Sequence, residues 1–94
     1  MKMAIVRHIL VKDKTLAEQL RQKIKHGADF TKIAKQYSTC PSAKKGGELG
    51  EVKPKQLVAS IDKAVFSLAE HELHGPIKSP FGWHLLEIKF RMDF

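Results

Sequence analysis

The sequence predicts an α+β fold: a four-stranded, mainly antiparallel sheet surrounded by about four helices, in the order β-α-α-α-β-α-β-β. Three observations lead there. Each end carries a strand-like apolar run enclosing one histidine, Arg7-His8-Ile9-Leu10-Val11 and Phe81-Gly82-Trp83-His84-Leu85-Leu86. The chain between them switches to helical periodicity. Pro80-Phe81-Gly82 marks a tight turn that makes the last two strands a hairpin.

The first strand is expected over Met3 to Val11. Ile5, Ile9 and Val11 fall on one face and Val6, His8 and Leu10 on the other, so a central position is expected. Lys12-Asp13-Lys14 reads as a polar turn. A helix follows over Thr15 to His26, with Leu16, Leu20 and Ile24 inward and Glu18, Arg21, Gln22 and Lys25 outward. Gly27 stops it. Asp29 caps a second helix with the stripe Phe30, Ile33, Ala34 and Tyr37. Ser42 to Lys45 suits one helical turn. Gly46-Gly47 allows a reversal into a short strand, Glu48 to Val52. A third long helix is expected over Leu57 to Leu68, burying Leu57, Ile61, Ala64, Val65 and Leu68. Ala69 to His74 reads as a polar connection. The hairpin comprises strands from Gly75 to Ser79 and from Trp83 to Phe90, with Trp83 facing away from His84 and toward helices.

A polar ring in an apolar strand is costly unless it finds a hydrogen-bond partner. Two such rings at opposite ends of the chain imply that the ends meet and that His8 and His84 satisfy each other or a shared partner.

Composition narrows the function classes. The 94 residues are 43% hydrophobic and 29% charged, as in an ordinary globular protein, and make one domain spanning 1–94. No apolar run approaches the roughly 20 residues of a membrane span, and the start has too short an apolar stretch for a secretory signal. The single cysteine, Cys40, cannot form an internal disulfide. These features lead to an expected cytoplasmic location, and a monomer is the expected state. One cysteine and five scattered histidines show no ligand spacing, so no metal and no cofactor is expected. The net charge of +7 favours encounter with anionic partners. However, the lysines read as spread along the chain, without interleaved aromatics or a nucleic-acid motif.

Eight short motifs in order resemble those of the parvulin-type peptidyl-prolyl isomerases. They are His8-Ile9-Leu10-Val11, Gly27-Ala28-Asp29-Phe30, Ala34-Lys35-Gln36-Tyr37-Ser38, Cys40-Pro41-Ser42-Ala43-Lys44, Gly46-Gly47-Glu48-Leu49-Gly50, Ala64-Val65-Phe66, Gly75-Pro76-Ile77 and Phe81-Gly82-Trp83-His84. The resemblance implies a parvulin-like fold and rotation about the bond before proline, with proline-containing polypeptides as partners. It implies that His8 and His84 are the paired central histidines, with Cys40 beside them near the substrate carbonyl. It places Leu49 and Phe81 as lining, Ser79 at the edge, and Leu57 and Ile61 in the proline pocket. Three positions depart from the family pattern. Leu57 stands where methionine is common, Ile61 where phenylalanine is common, and Val52 where an aromatic is frequent. Such a pocket stays apolar but loses the flat ring for proline to pack on. The connection after the first strand is short, which argues against a phosphate-directed preference.

Other readings stand beside these. The histidines could be structural partners or could move a proton. Cys40 could be a nucleophile, a polar neighbour of the carbonyl, or packing. Besides a folding helper that isomerises X-Pro bonds without covalent chemistry, two other functions fit. One is a proline-peptide-binding or chaperone module without turnover. The other is a basic nucleic-acid- or ribosome-associated protein.

Overall fold

A computed structural model describes all residues from Met1 to Phe94. The strands are β1 (Lys2–Val11), β2 (Glu48–Val52), β3 (Leu73–Ser79) and β4 (Gly82–Asp93). They form one sheet in the order β2-β1-β4-β3 with every neighbouring pair antiparallel. The helices are α1 (Lys14–Lys25), α2 (Phe30–Tyr37) and α3 (Ala59–Val65), with a 3-10 helix at Pro41–Lys45 as the short third element of the expected order. No helix is long and apolar enough to cross a membrane.

The two strands that carry the histidines are the central pair, because both of their faces are apolar. Ala4, Val6, Leu86 and Ile88 pack with Val52 and with Ile61, Ala64 and Val65 of α3. On the other face Ile9, Val11 and Leu85 pack with Ala17 and Leu20 of α1 and Phe30, Ile33 and Ala34 of α2. Trp83 joins this second cluster, facing away from His84 as expected, with the Lys14 ammonium 5.2 Å from its ring centroid. His8 and His84 lie on the α3 face.

Several boundaries differ from the sequence reading. The helix expected over Leu57 to Leu68 is limited to Ala59–Val65. No Ser, Thr, Asp or Asn stands at its start, and Val58 caps it with backbone alone. Upstream, Lys55 takes a left-handed φ of 72° and donates its backbone N–H to Asp62 Oδ1 at 2.8 Å, which holds Lys53–Val58 in a turn. Asp13, read as part of a polar turn, caps α1 by accepting from Thr15 N. In α1 the deeply buried residues are Ala17 and Leu20, and Arg21, expected outside, is half-buried. β3 begins at Leu73 rather than Gly75, since Leu73 packs into the second cluster and pairs with Glu87. β4 continues to Asp93, paired with the start of β1 through Met3↔Met92 and Ile5↔Phe90 past a bulge.

The positive surplus is not spread evenly either. Between Arg21 and Lys45 lie seven Lys or Arg and one acidic residue, Asp29, which caps α2. Lys23, Lys25, Lys32, Lys35, Lys44 and Lys45 are all exposed there, and no salt bridge engages them. These lysines stand exposed on α1, α2 and the 3-10 helix.

Candidate active site

The register places Leu10 opposite His84 and His8 opposite Leu86, so the two histidines are diagonal neighbours on one face. Their Nδ1 atoms are 3.1 Å apart and the rings are stacked with centroids 5.3 Å apart. Each outer nitrogen meets a serine: His8 Nε2 lies 3.1 Å from Ser42 Oγ, and His84 Nε2 lies 2.6 Å from Ser79 Oγ.

Donor and acceptor counting gives this chain a direction. Phe81 N–H donates to Ser79 Oγ at 3.2 Å. The Ser79 hydroxyl proton has His84 Nε2 as its acceptor, so His84 carries its own proton on Nδ1 and donates to His8 Nδ1. His8 then holds its proton on Nε2 and donates to Ser42 Oγ. The opposite tautomers would leave the buried Ser79 O–H without an acceptor. Both rings are neutral in this arrangement. Burial, and then the neighbouring His84, lower the His8 pKa from 6.5 to about 4. Burial also lowers that of His84.

The backbone carries Cys40 to this pair. Ser38 Oγ accepts from Leu10 N at 3.0 Å, and Thr39 N–H donates to Leu10 O at 2.8 Å, so the segment entering the 3-10 helix lies along the end of β1. After the 3-10 helix, His8 N–H donates to Gly47 O at 2.9 Å. Gly47 has a φ of +87°, and a Cβ there would lie 2.3 Å from the His8 carbonyl oxygen. Only glycine lets the chain pass this close to the histidine strand.

Above the histidines lies a groove of about 660 Å³. Leu10, Leu49, Leu57, Val58, Ile61 and Phe81 supply its apolar lining. His8, His84, Cys40, Thr39 and Lys12 supply the polar side, and Pro41 completes the wall. The structure thus brings together His8, Cys40, His84, Leu49, Leu57, Ile61 and Phe81. Leu57 reaches the groove from the turn before α3 and Ile61 from the helix itself. Ile61 is 2% exposed and forms the floor, whereas Phe81 is 63% exposed at the mouth. Ser79, expected at the edge of the site, is instead buried behind His84, where its hydroxyl fixes the ring. Sequence reasoning missed Ser42, Thr39 and Val58; Ser42 stood within a quoted motif but carried no signal of its own before β1 and the 3-10 helix were brought together. A second concavity, of about 400 Å³ along α1, is lined only by polar side chains and Pro76.

Residues 8–89 match the rotamase family described as the PPIC-type PPIASE domain. The foldase protein PrsA 4 of Bacillus cereus is 43% identical over 84 residues, which cover 88% of this chain and 30% of that protein. Among solved structures, the peptidylprolyl isomerase PrsA from Bacillus anthracis superposes with a TM-score of 0.94 at 30% identity, over 98% of this chain and 43% of that one. The parvulin of Nitrosopumilus maritimus superposes with a TM-score of 0.84 at 36% identity, over 94% of this chain and 96% of that one. The chain belongs to the parvulin family of PPIC-type peptidyl-prolyl isomerase domains. It spans less than a third of the length of the Bacillus cereus relative.

Proposed function

We propose that this chain is a peptidyl-prolyl cis/trans isomerase that accelerates rotation about X-Pro bonds in unfolded or flexible polypeptides, acting as a monomer. The observation that carries the proposal is the groove itself, an apolar slot from Leu49, Leu57, Ile61 and Phe81 set against the neutral His8–His84 pair and Cys40. Rotation about the amide faces a barrier of about 18–20 kcal/mol from its partial double-bond character. No covalent bond has to break, so a site that holds the twisted amide better than the planar one suffices. The proline ring sits on Ile61 between Leu49 and Leu57, and the carbonyl before it turns toward Cys40 and the histidines. The rings need not move a proton; they hold the polar wall in place. A cytoplasmic setting is part of this proposal, and cell fractionation tests it.

Exchange spectroscopy on a series of X-Pro peptides tests the activity. Catalysis at micromolar protein, with no more than a modest preference for phosphoserine before proline, is expected. Binding with no rate above background would favour a non-catalytic peptide-binding module. Leu57→Met together with Ile61→Phe restores a polarisable chain and a flat ring to the pocket. Aromatic contacts are worth about 0.5–1.5 kcal/mol beyond area, so kcat/KM should rise up to roughly tenfold. Because Ile61 already packs against Val52, the added ring should also cost about 1–3 kcal/mol of stability. A restored protein no faster than the parent would refute the pocket assignment.

The clustered lysines favour a second reading, a role beside a polyanion such as ribosomal RNA. They lie on α1, α2 and the 3-10 helix, and α1 and α2 cover the face of the sheet away from α3. If RNA binds there, affinity should fall steeply with salt, and Lys32→Glu with Lys35→Glu should abolish retention at low salt. Equal retention of that variant would remove this face as the binding surface.

A further inference from the structure

The groove depends on where α3 sits, since Val58 and Ile61 come from its first turns. α3 has only seven residues and no side-chain cap at its start. A helix this short has little stability of its own, and its last carbonyls lack partners within the helix. Residues 66 to 68 meet the carbonyls of Asp62, Lys63 and Ala64, but the last one, Val65 O, and Leu68 O just beyond the helix are met from β4. Arg91 Nη1 donates to Val65 O at 2.9 Å and to Leu68 O at 2.5 Å. Arg91 N–H donates to Glu70 Oε2 at 3.1 Å, and His71 N–H donates to Ile88 O at 2.7 Å. Four hydrogen bonds thus fasten the segment from Val65 to His71 onto the far end of β4. The guanidinium also places a fixed positive charge at the negative end of the helix.

We infer that Arg91 is a positioning residue for the proline groove: by holding the Val65 and Leu68 carbonyls, it sets the height of Ile61 and Val58 over the His8–His84 pair. Arg91 touches no part of the groove and acts only through α3. The inference rests on the isomerase reading, so its experiment has one arm that depends on activity and one that does not.

Wild type, Arg91→Met, Arg91→Lys and Ile33→Ala are compared. Ile33 packs on the opposite face of the sheet and reports a loss of stability that does not pass through α3. In Arg91→Met, kcat/KM on a proline peptide should fall about tenfold, mostly through a higher KM. Arg91→Lys, which can serve one carbonyl but not two in the same geometry, should recover part of that loss. Ile33→Ala should lower Tm yet stay within twofold of wild type in kcat/KM. Independently, amide hydrogen exchange in α3 should quicken at least tenfold in both Arg91 variants relative to the β1 amides. If Arg91→Met does not fold, Arg91→Lys decides by the same two readouts. Unchanged α3 exchange, or a KM moved no more than by Ile33→Ala, would overturn the inference. An inactive wild type would overturn the isomerase reading instead, and α3 exchange would still decide the role of Arg91.

Discussion

His84→Leu should destabilise this protein by about 3 kcal/mol, while Cys40→Ser should cost less than about 1. Both side chains border the same groove, but their surroundings differ. His84 is 4% exposed and completes a hydrogen-bonded chain of four side chains. Leucine of similar size would fill the space and leave His8 Nδ1 without its donor and the Ser79 hydroxyl proton without its acceptor. Each buried polar group so abandoned costs about 1–3 kcal/mol, partly offset by the apolar burial that leucine adds. The Cys40 thiol makes no side-chain hydrogen bond and is half-buried, so serine loses little there. The activity readout should run in parallel. His84→Leu should lower kcat/KM by at least tenfold because the polar wall of the groove loses its order, whereas Cys40→Ser, and even Cys40→Asp, should keep substantial turnover. Urea unfolding midpoints with unchanged m-values check the first part, and peptide exchange rates check the second. A His84→Leu protein within 1 kcal/mol of wild type would mean that the pair is not a structural anchor. A thousandfold loss in Cys40→Asp would point to covalent participation.

Much of this site could be read from the chain because its signals are local. A histidine inside Ile-Leu-Val can be buried only if partnered, and two such runs at opposite ends already implied a central pair of strands; the structure has both. The Asp29 cap and the Phe30, Ile33, Ala34 stripe likewise depend on neighbours three or four residues apart. What escaped depends on distant contacts. The start of α3 was misplaced because a continuous apolar spacing from Leu57 to Leu68 says nothing of the Lys55–Asp62 bond that holds a turn there. The edge position of Ser79 rests on the family resemblance, and nothing local in the sequence reveals that its hydroxyl lies behind His84. The ending from Phe90 to Phe94 gave no sequence cue of its role, since the partners of Arg91 lie more than 20 positions away at Val65 and Leu68.

Acid should expose the second large effect. With His8 held at a pKa of about 4 in the folded protein and 6.5 as its ordinary value, the unfolded chain takes up the proton first as pH falls. Stability is therefore full above about pH 6.5 and declines from there down to about pH 4, below which this ring contributes no further slope. At one pKa unit per 1.36 kcal/mol, the loss from His8 reaches about 2 kcal/mol by pH 5 and about 3 kcal/mol in all. His84 is shifted in the same direction and steepens the decline. No carboxylate lines the groove to compensate an imidazolium, and protonating both rings would set two cations against each other across a 3.1 Å contact. For a chain of this size, Tm should drop by roughly 10 °C between pH 7.5 and pH 5. Over the same range kcat/KM, measured at a temperature where the protein remains folded, should stay nearly flat, because a neutral pair that only holds the wall has no proton to give or take. Calorimetry at half-unit pH steps and exchange spectroscopy on one peptide test both halves. A level Tm would show that the rings charge without penalty, and a kcat/KM that titrates near neutrality would make one of them a proton donor in the reaction.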